Sequence, residues 1–168
     1  MAFIILGIVL FICVITVALV FMKKLLKNDI MLEVTATCEG KNEDNQAIMK
    51  IYFRYSIGRL ARRKREMIGS IEWSEGWMPV SYNLKEHGVY DEERLLYATN
   101  EQTYSTFEIN ATNALDEQGR GEGYVVLVLE KPNTSHMSRA GVILAVTANM
   151  VTYQLSDSTS WHNDMLAN

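Results

Sequence analysis

The side chains of this chain that could do chemistry are few and scattered. His87, His136 and His162 lie far apart, and none stands in a metal-binding spacing such as H-E-x-x-H. Cys13 sits inside an apolar run, which leaves Cys38 as the one cysteine beyond it, too few for a thiolate cluster. Cys38 is expected as a buried structural cysteine. No serine stands in a G-x-S-x-G elbow. Gly119-Arg120-Gly121-Glu122-Gly123 has the glycine content of a phosphate loop, but it precedes a strand where a nucleotide site needs a strand before it and a helix after it. It reads as a flexible turn. Asp116, Glu117 and Glu122 miss the calcium-loop spacing and read as a solvated loop. The sequence therefore assigns no catalytic residue, no metal ligand and no cofactor.

Two groups of residues point instead to binding. Trp73, Trp77 and Tyr82 surround Met78-Pro79, and aromatics in such a cluster form either core or a partner surface. Arg59, Arg62, Arg63, Lys64 and Arg65 place five cations in seven residues. Residues 23–65 hold eleven Lys and Arg against five Asp and Glu, and residues 66–168 hold five against fifteen. Such a dipolar body near an anionic leaflet would turn its basic side to the lipid or to an acidic partner, each cation contributing about 1 kcal/mol. The acidic remainder and the lack of a nucleic-acid-binding pattern argue against nucleic acid as the partner.

The elements that carry these groups begin with Ala2 to Met22, a run without a charge. About twenty such residues cross the ~30 Å hydrocarbon core of a bilayer. A cleaved signal would need a basic start, a shorter apolar run and a small-x-small cleavage site, and all three are missing. The run is expected to be a single-pass signal-anchor, with the bilayer as its partner. Lys23, Lys24 and Lys27 follow it, and cationic flanks stay in the cytoplasm, so the rest of the chain is expected there. Asn110-Ala111-Thr112 and Asn133-Thr134-Ser135 fit a glycosylation pattern that has no meaning on that side.

Beyond the anchor the apolar residues recur with a period of two. Ala47, Met49, Ile51, Phe53 and Tyr55 fall on one face of a strand, Lys50 and Arg54 on the other. Leu32, Val34, Ala36 and Cys38 do the same in a preceding strand, joined to it by the polar loop 39–46. Further strands are expected at 66–73, at 95–99 paired with 103–109, and at 124–130, the last apolar on both faces and so central. Residues 142–155 read as one long or bent strand.

The chain is thus expected to be mainly β: an N-terminal transmembrane helix with its basic flank (1–28), then a small antiparallel sandwich or barrel (29–155), then a loosely ordered tail (156–168) pinned by Trp161 and Leu166. The alternative is an α+β arrangement with one covering helix at 85–97. A hydrophobic fraction of 48% and a charged fraction of 21% are enough for one core without disulfides. The expected role is a membrane-anchored interaction, accessory or assembly module for a protein partner. The second reading is a membrane-tethered enzyme whose polar groups converge only on folding.

Overall fold

The computed structural model describes residues 2–28, 30–62, 66–99, 102–130, 136–148 and 150–163. Helix α1 (Ala2–Asn28) comes first. Its described side chains, those of residues 7–20, are all exposed. Among the described residues no helix is long and apolar enough to cross a membrane. Those fourteen residues rise about 21 Å, against the ~30 Å hydrocarbon core. The span expected over Ala2 to Met22 therefore rests on the sequence.

Ten strands follow among the described residues: β1 (Met31–Lys41), β2 (Ala47–Ser56), β3 (Glu66–Trp73), β4 (Trp77–Glu86), β5 (Val89–Tyr90), β6 (Arg94–Leu95), β7 (Tyr104–Ile109), β8 (Arg120–Leu129), β9 (Met137–Ala148) and β10 (Val151–His162). A 3-10 turn (Gly58–Arg62) precedes β3, and a one-turn helix α2 (Ala111–Ala114), capped by the Asn110 side chain, follows β7. One sheet has the order β1-β2-β8-β4-β5 with β6 also on β4; the other has the order β10-β9-β3-β7. All pairings are antiparallel.

Each sheet has one apolar face, and the two faces share a single core. Met49, Ile51, Phe53 and Tyr55 of β2, Val125 and Leu127 of β8, and Val142, Leu144 and Val146 of β9 are all buried. The fold is a β-sandwich. Strand β8 is central, between β2 and β4, as its two-sided apolar sequence requires: Val126 on its outer face is buried too. Opposite Phe53 and Tyr55 the register sets Gly123 and Gly121, where a Cβ would collide with those rings. The two glycines thus belong to the strand and make room for aromatics, rather than forming the flexible turn expected of them.

On one flank the sheets close on each other through β1 and β10. The Val34 N–H, which points away from β2, donates to Asp157 Oδ2 at 2.9 Å. This satisfies an edge donor that would otherwise template a further strand.

Several expectations need correction. Residues 142–155 are two strands, because the chain reverses at Met150 (φ +65°) and β10 pairs with β9 over twelve residues. The region expected to be a tail is therefore strand as far as His162, with Trp161 buried edge-to-face on Trp77 at 5.4 Å; Leu166 lies outside the described residues. Residues 94–95 pair with β4, and β7 pairs with β3, so the expected hairpin of 95–99 with 103–109 does not form. The covering helix at 85–97 is absent: a turn at His87-Gly88, both with positive φ, folds Tyr90 back onto Lys85. Cys38 is exposed, because it lies where a register shift ends the regular pairing of β1.

Candidate functional site

Alternation that buries Ile51, Phe53 and Tyr55 must turn Lys50, Tyr52 and Arg54 outward. The same holds for Glu122 and Tyr124 on β8, and past a register shift between Pro79 and Ser81 for Ser81, Asn83 and Lys85 on β4. Register then brings these side chains together, with Tyr52 opposite Tyr124 and Tyr124 opposite Asn83. Tyr90 arrives from β5, beside Lys85.

The result is a band of three tyrosines on the outer face of the six-stranded sheet. Ring centroids lie 5.5 Å apart for Tyr52 and Tyr124, and 5.3 Å apart for Tyr90 and Tyr124. Lys50 Nζ sits 4.8 Å above the Tyr124 ring and Lys85 Nζ 6.0 Å from that of Tyr90, in range of cation–π attraction. The Tyr124 hydroxyl donates to Glu93 Oε1 at 2.9 Å, and Ser81 Oγ donates to Glu93 Oε2 at 2.8 Å. Burial, then the hydrogen bond to Glu93, pushes the Tyr124 hydroxyl up to about 12. Tyr90 is raised as well, first by burial and then by Glu122. Both therefore stay neutral across the physiological range.

This face runs into an open groove of about 870 Å³ where β2 and β4 end and β8 begins, walled by His87-Gly88 and by Asn113 and Ala114 of α2. Glu122 stands at the junction, accepting from Lys85 Nζ at 2.8 Å and facing Arg54 Nε at 3.4 Å. Asp116 is engaged by its own turn, accepting the backbone N–H groups of Gln118 and Arg120. That turn is pressed against the 3-10 turn: Ile57 N–H donates to the Gly119 carbonyl at 2.8 Å, and a Cβ at Gly119 would lie 2.9 Å from the Gly58 carbonyl oxygen. The Tyr55 hydroxyl reaches the Ala114 carbonyl at 3.4 Å, and burial raises its pKa well above the usual phenol range. It is a donor at the groove floor, not a base. Among the described residues no three His, Cys, Asp or Glu side chains converge as a metal ion would need.

No family model matches this chain, and no curated protein does. Solved structures do share its fold. The full-length major pilin SpaD from Corynebacterium diphtheriae superposes with a TM-score of 0.55 at 6% identity, over 78% of this chain and 34% of that one. A C-terminal fragment of the major pilin GBS80 of Streptococcus agalactiae gives 0.52 at 9% identity, over 79% of this chain and 56% of the fragment. The chain thus spans about a third of the first structure and about half of the second. At these identities the likeness is one of fold.

The residues singled out in the sequence are distributed differently from the tyrosine band. Trp73 and Trp77 are buried, Trp77 Nε1 donating to Ser138 Oγ at 2.9 Å, so they are core and not a partner surface. Tyr82 packs on Phe107 at 5.1 Å, with the Arg94 guanidinium over it at 5.8 Å. A register shift turns this residue inward with Leu84. Arg59 is exposed on the 3-10 turn that Arg62 ends. Arg63, Lys64 and Arg65 lie outside the described residues, as do the side chains of Lys23, Lys24, Lys27 and Arg62. The sequence pattern sets Lys50 and Arg54 on a water-facing side of the strand and does not by itself mark Tyr52 between them. An aromatic between two cations on a strand's polar face was the available signal.

Proposed function

We propose that this chain is a membrane-anchored β-sandwich that binds or assembles with a protein partner through the outer face of its six-stranded sheet. The observation that carries the reading is the tyrosine band. Three rings flanked by Lys50 and Lys85 supply the aromatic and cationic surface in which protein interfaces are enriched. The fold supports it, since the two structures described above are major pilins and hold a sandwich of the same shape. The uncharged run Ala2 to Met22 supplies the anchor, within a helix whose Thr16 hydroxyl donates to the Ile12 carbonyl at 2.8 Å and so has no polar need left for lipid to meet. Lys23, Lys24 and Lys27 put the sandwich in the cytoplasm. Arg59, Arg62, Arg63, Lys64 and Arg65 then face the anionic leaflet or an acidic partner.

Photo-crosslinking from position 97 tests the partner surface. Tyr97, on the segment that follows β6, is 82% exposed. In intact membranes a crosslinker there captures a defined protein, and Tyr52→Ala with Tyr90→Ala abolishes capture while the chain stays folded. Capture unchanged by the double substitution would contradict the assignment.

A further inference from the structure

The anchor-proximal end of the sandwich carries an apolar tip that solvent does not explain. Strands β1 and β10 both start at this end, and the Val34 N–H to Asp157 contact fixes their relative height. At about 3.3 Å per residue, Met31 lies three residues or about 10 Å below that contact, and Val151 six residues or about 20 Å below it. The β9–β10 hairpin therefore reaches about 10 Å past the start of β1. It does so on the side from which α1 enters, since Asn28 precedes Met31 by only three residues.

The hairpin ends on apolar side chains. Met150 is fully exposed (101%), Val151 is 51% exposed and Tyr153 36%. Met31, at the base of the neighbouring strand, is 53% exposed. Val151 and Tyr153 lie on the same face of β10 as buried Leu155 and Trp161, and they stay exposed although their partners on β9, Ala148 and Val146, are buried. Met150 holds a positive φ, which a turn ordinarily gives to Gly or Asn. An apolar side chain there costs on both counts in water, and an apolar surrounding relieves the exposure. Arg59 is exposed at the same end, on the turn that follows β2, and Glu66 begins β3 there.

We infer that the tip of the β9–β10 hairpin, Met150 and Val151 with Tyr153 behind them, dips into the interfacial layer of the bilayer that holds α1. It is a second membrane contact that fixes the tilt of the sandwich. The inference rests on the anchored reading above. Apolar side chains at the boundary of headgroups and acyl chains hold a surface element there, with cations alongside.

The test uses the full chain reconstituted in anionic vesicles, with Met150→Trp as the probe and brominated acyl chains as the quencher. Val151→Trp serves as a second probe should the first variant fold poorly by circular dichroism. The expected result is a blue-shifted extra emission that loses intensity with brominated lipid, while the chain resists alkaline carbonate extraction. A carbonate-resistant chain whose added tryptophan emits as in water, unquenched, overturns the hairpin contact and leaves the anchor standing. A chain that carbonate extracts overturns the anchored reading, and this inference with it. A blue shift insensitive to bromine and dependent on protein concentration means that a second copy covers the tip, which also overturns it.

Discussion

Phe53→Ala removes a ring that is wholly buried at the centre of β2, with Phe107 at 5.7 Å and Tyr55 at 6.1 Å between centroids. An aromatic of this kind buries about 150–250 Å², worth about 4–6 kcal/mol at ~25 cal/mol per Å² before the part an alanine retains is subtracted. Relaxation cannot refill the hole from across the strand, because the opposing residue is Gly123, which has no side chain to move in. The loss should fall in the upper part of the usual range for such truncations, about 3–5 kcal/mol. For a domain of about 130 residues that is a drop of about 10–20 °C in Tm. The assay is thermal circular dichroism of the full chain in detergent, followed at a wavelength where strand dominates. Lys50→Ala is the control: the same strand, the opposite face, a partly exposed ion pair to Glu39 at 3.9 Å, and a loss below about 1 kcal/mol. Equal melting of wild type and Phe53→Ala would refute the assignment of faces on β2.

Two further outcomes follow from the same geometry. Asp157→Ala leaves the Val34 edge donor without its acceptor; it should cost about 1–3 kcal/mol and speed amide exchange at Val34 more than at its β2-paired neighbours, whereas unchanged exchange would mean that the edge is closed by other contacts. In alkali, the folded-state pKa values of Tyr55, Tyr90 and Tyr124 all lie above the ordinary phenol value near 10. Their contribution is whole below pH 10 and is lost as pH rises, through about 12 for Tyr124, so stability should fall over that window in step with tyrosinate absorbance, and a flat profile would contradict the burial of these rings.

What the sequence made legible was decided by how strongly each segment repeats. Ala47 to Tyr55 alternates without a break, and its inward and outward faces are as the pattern implies. The same holds for Leu32, Val34 and Ala36, until the bulge beyond Cys38 ends the rule. The β9–β10 hairpin was hidden because it turns without Gly or Pro, at a methionine, inside an apolar stretch that reads as one strand. Strand β10 was hidden further along, since Ser156 to Ser160 is polar; the strand is held by twelve-residue pairing to β9 and by Trp161, not by its own apolar repeat. The tyrosine band joins residues up to 72 positions apart, Tyr52 with Tyr124, through β8, whose neighbours β2 and β4 no local pattern reveals. Trp73 and Trp77 show the converse: a cluster conspicuous in the sequence that the fold spends on its core.

The anchored reading meets its most direct test in the chain's two cysteines, Cys13 within the uncharged run of α1 and Cys38 exposed near the far end of β1. A membrane-impermeant maleimide applied to native membranes opened on both sides should modify Cys38 rapidly and leave Cys13 untouched until the bilayer is dissolved. Modification of Cys13 as fast as Cys38 in the intact bilayer would show that α1 is not within lipid, and would contradict the account at its base.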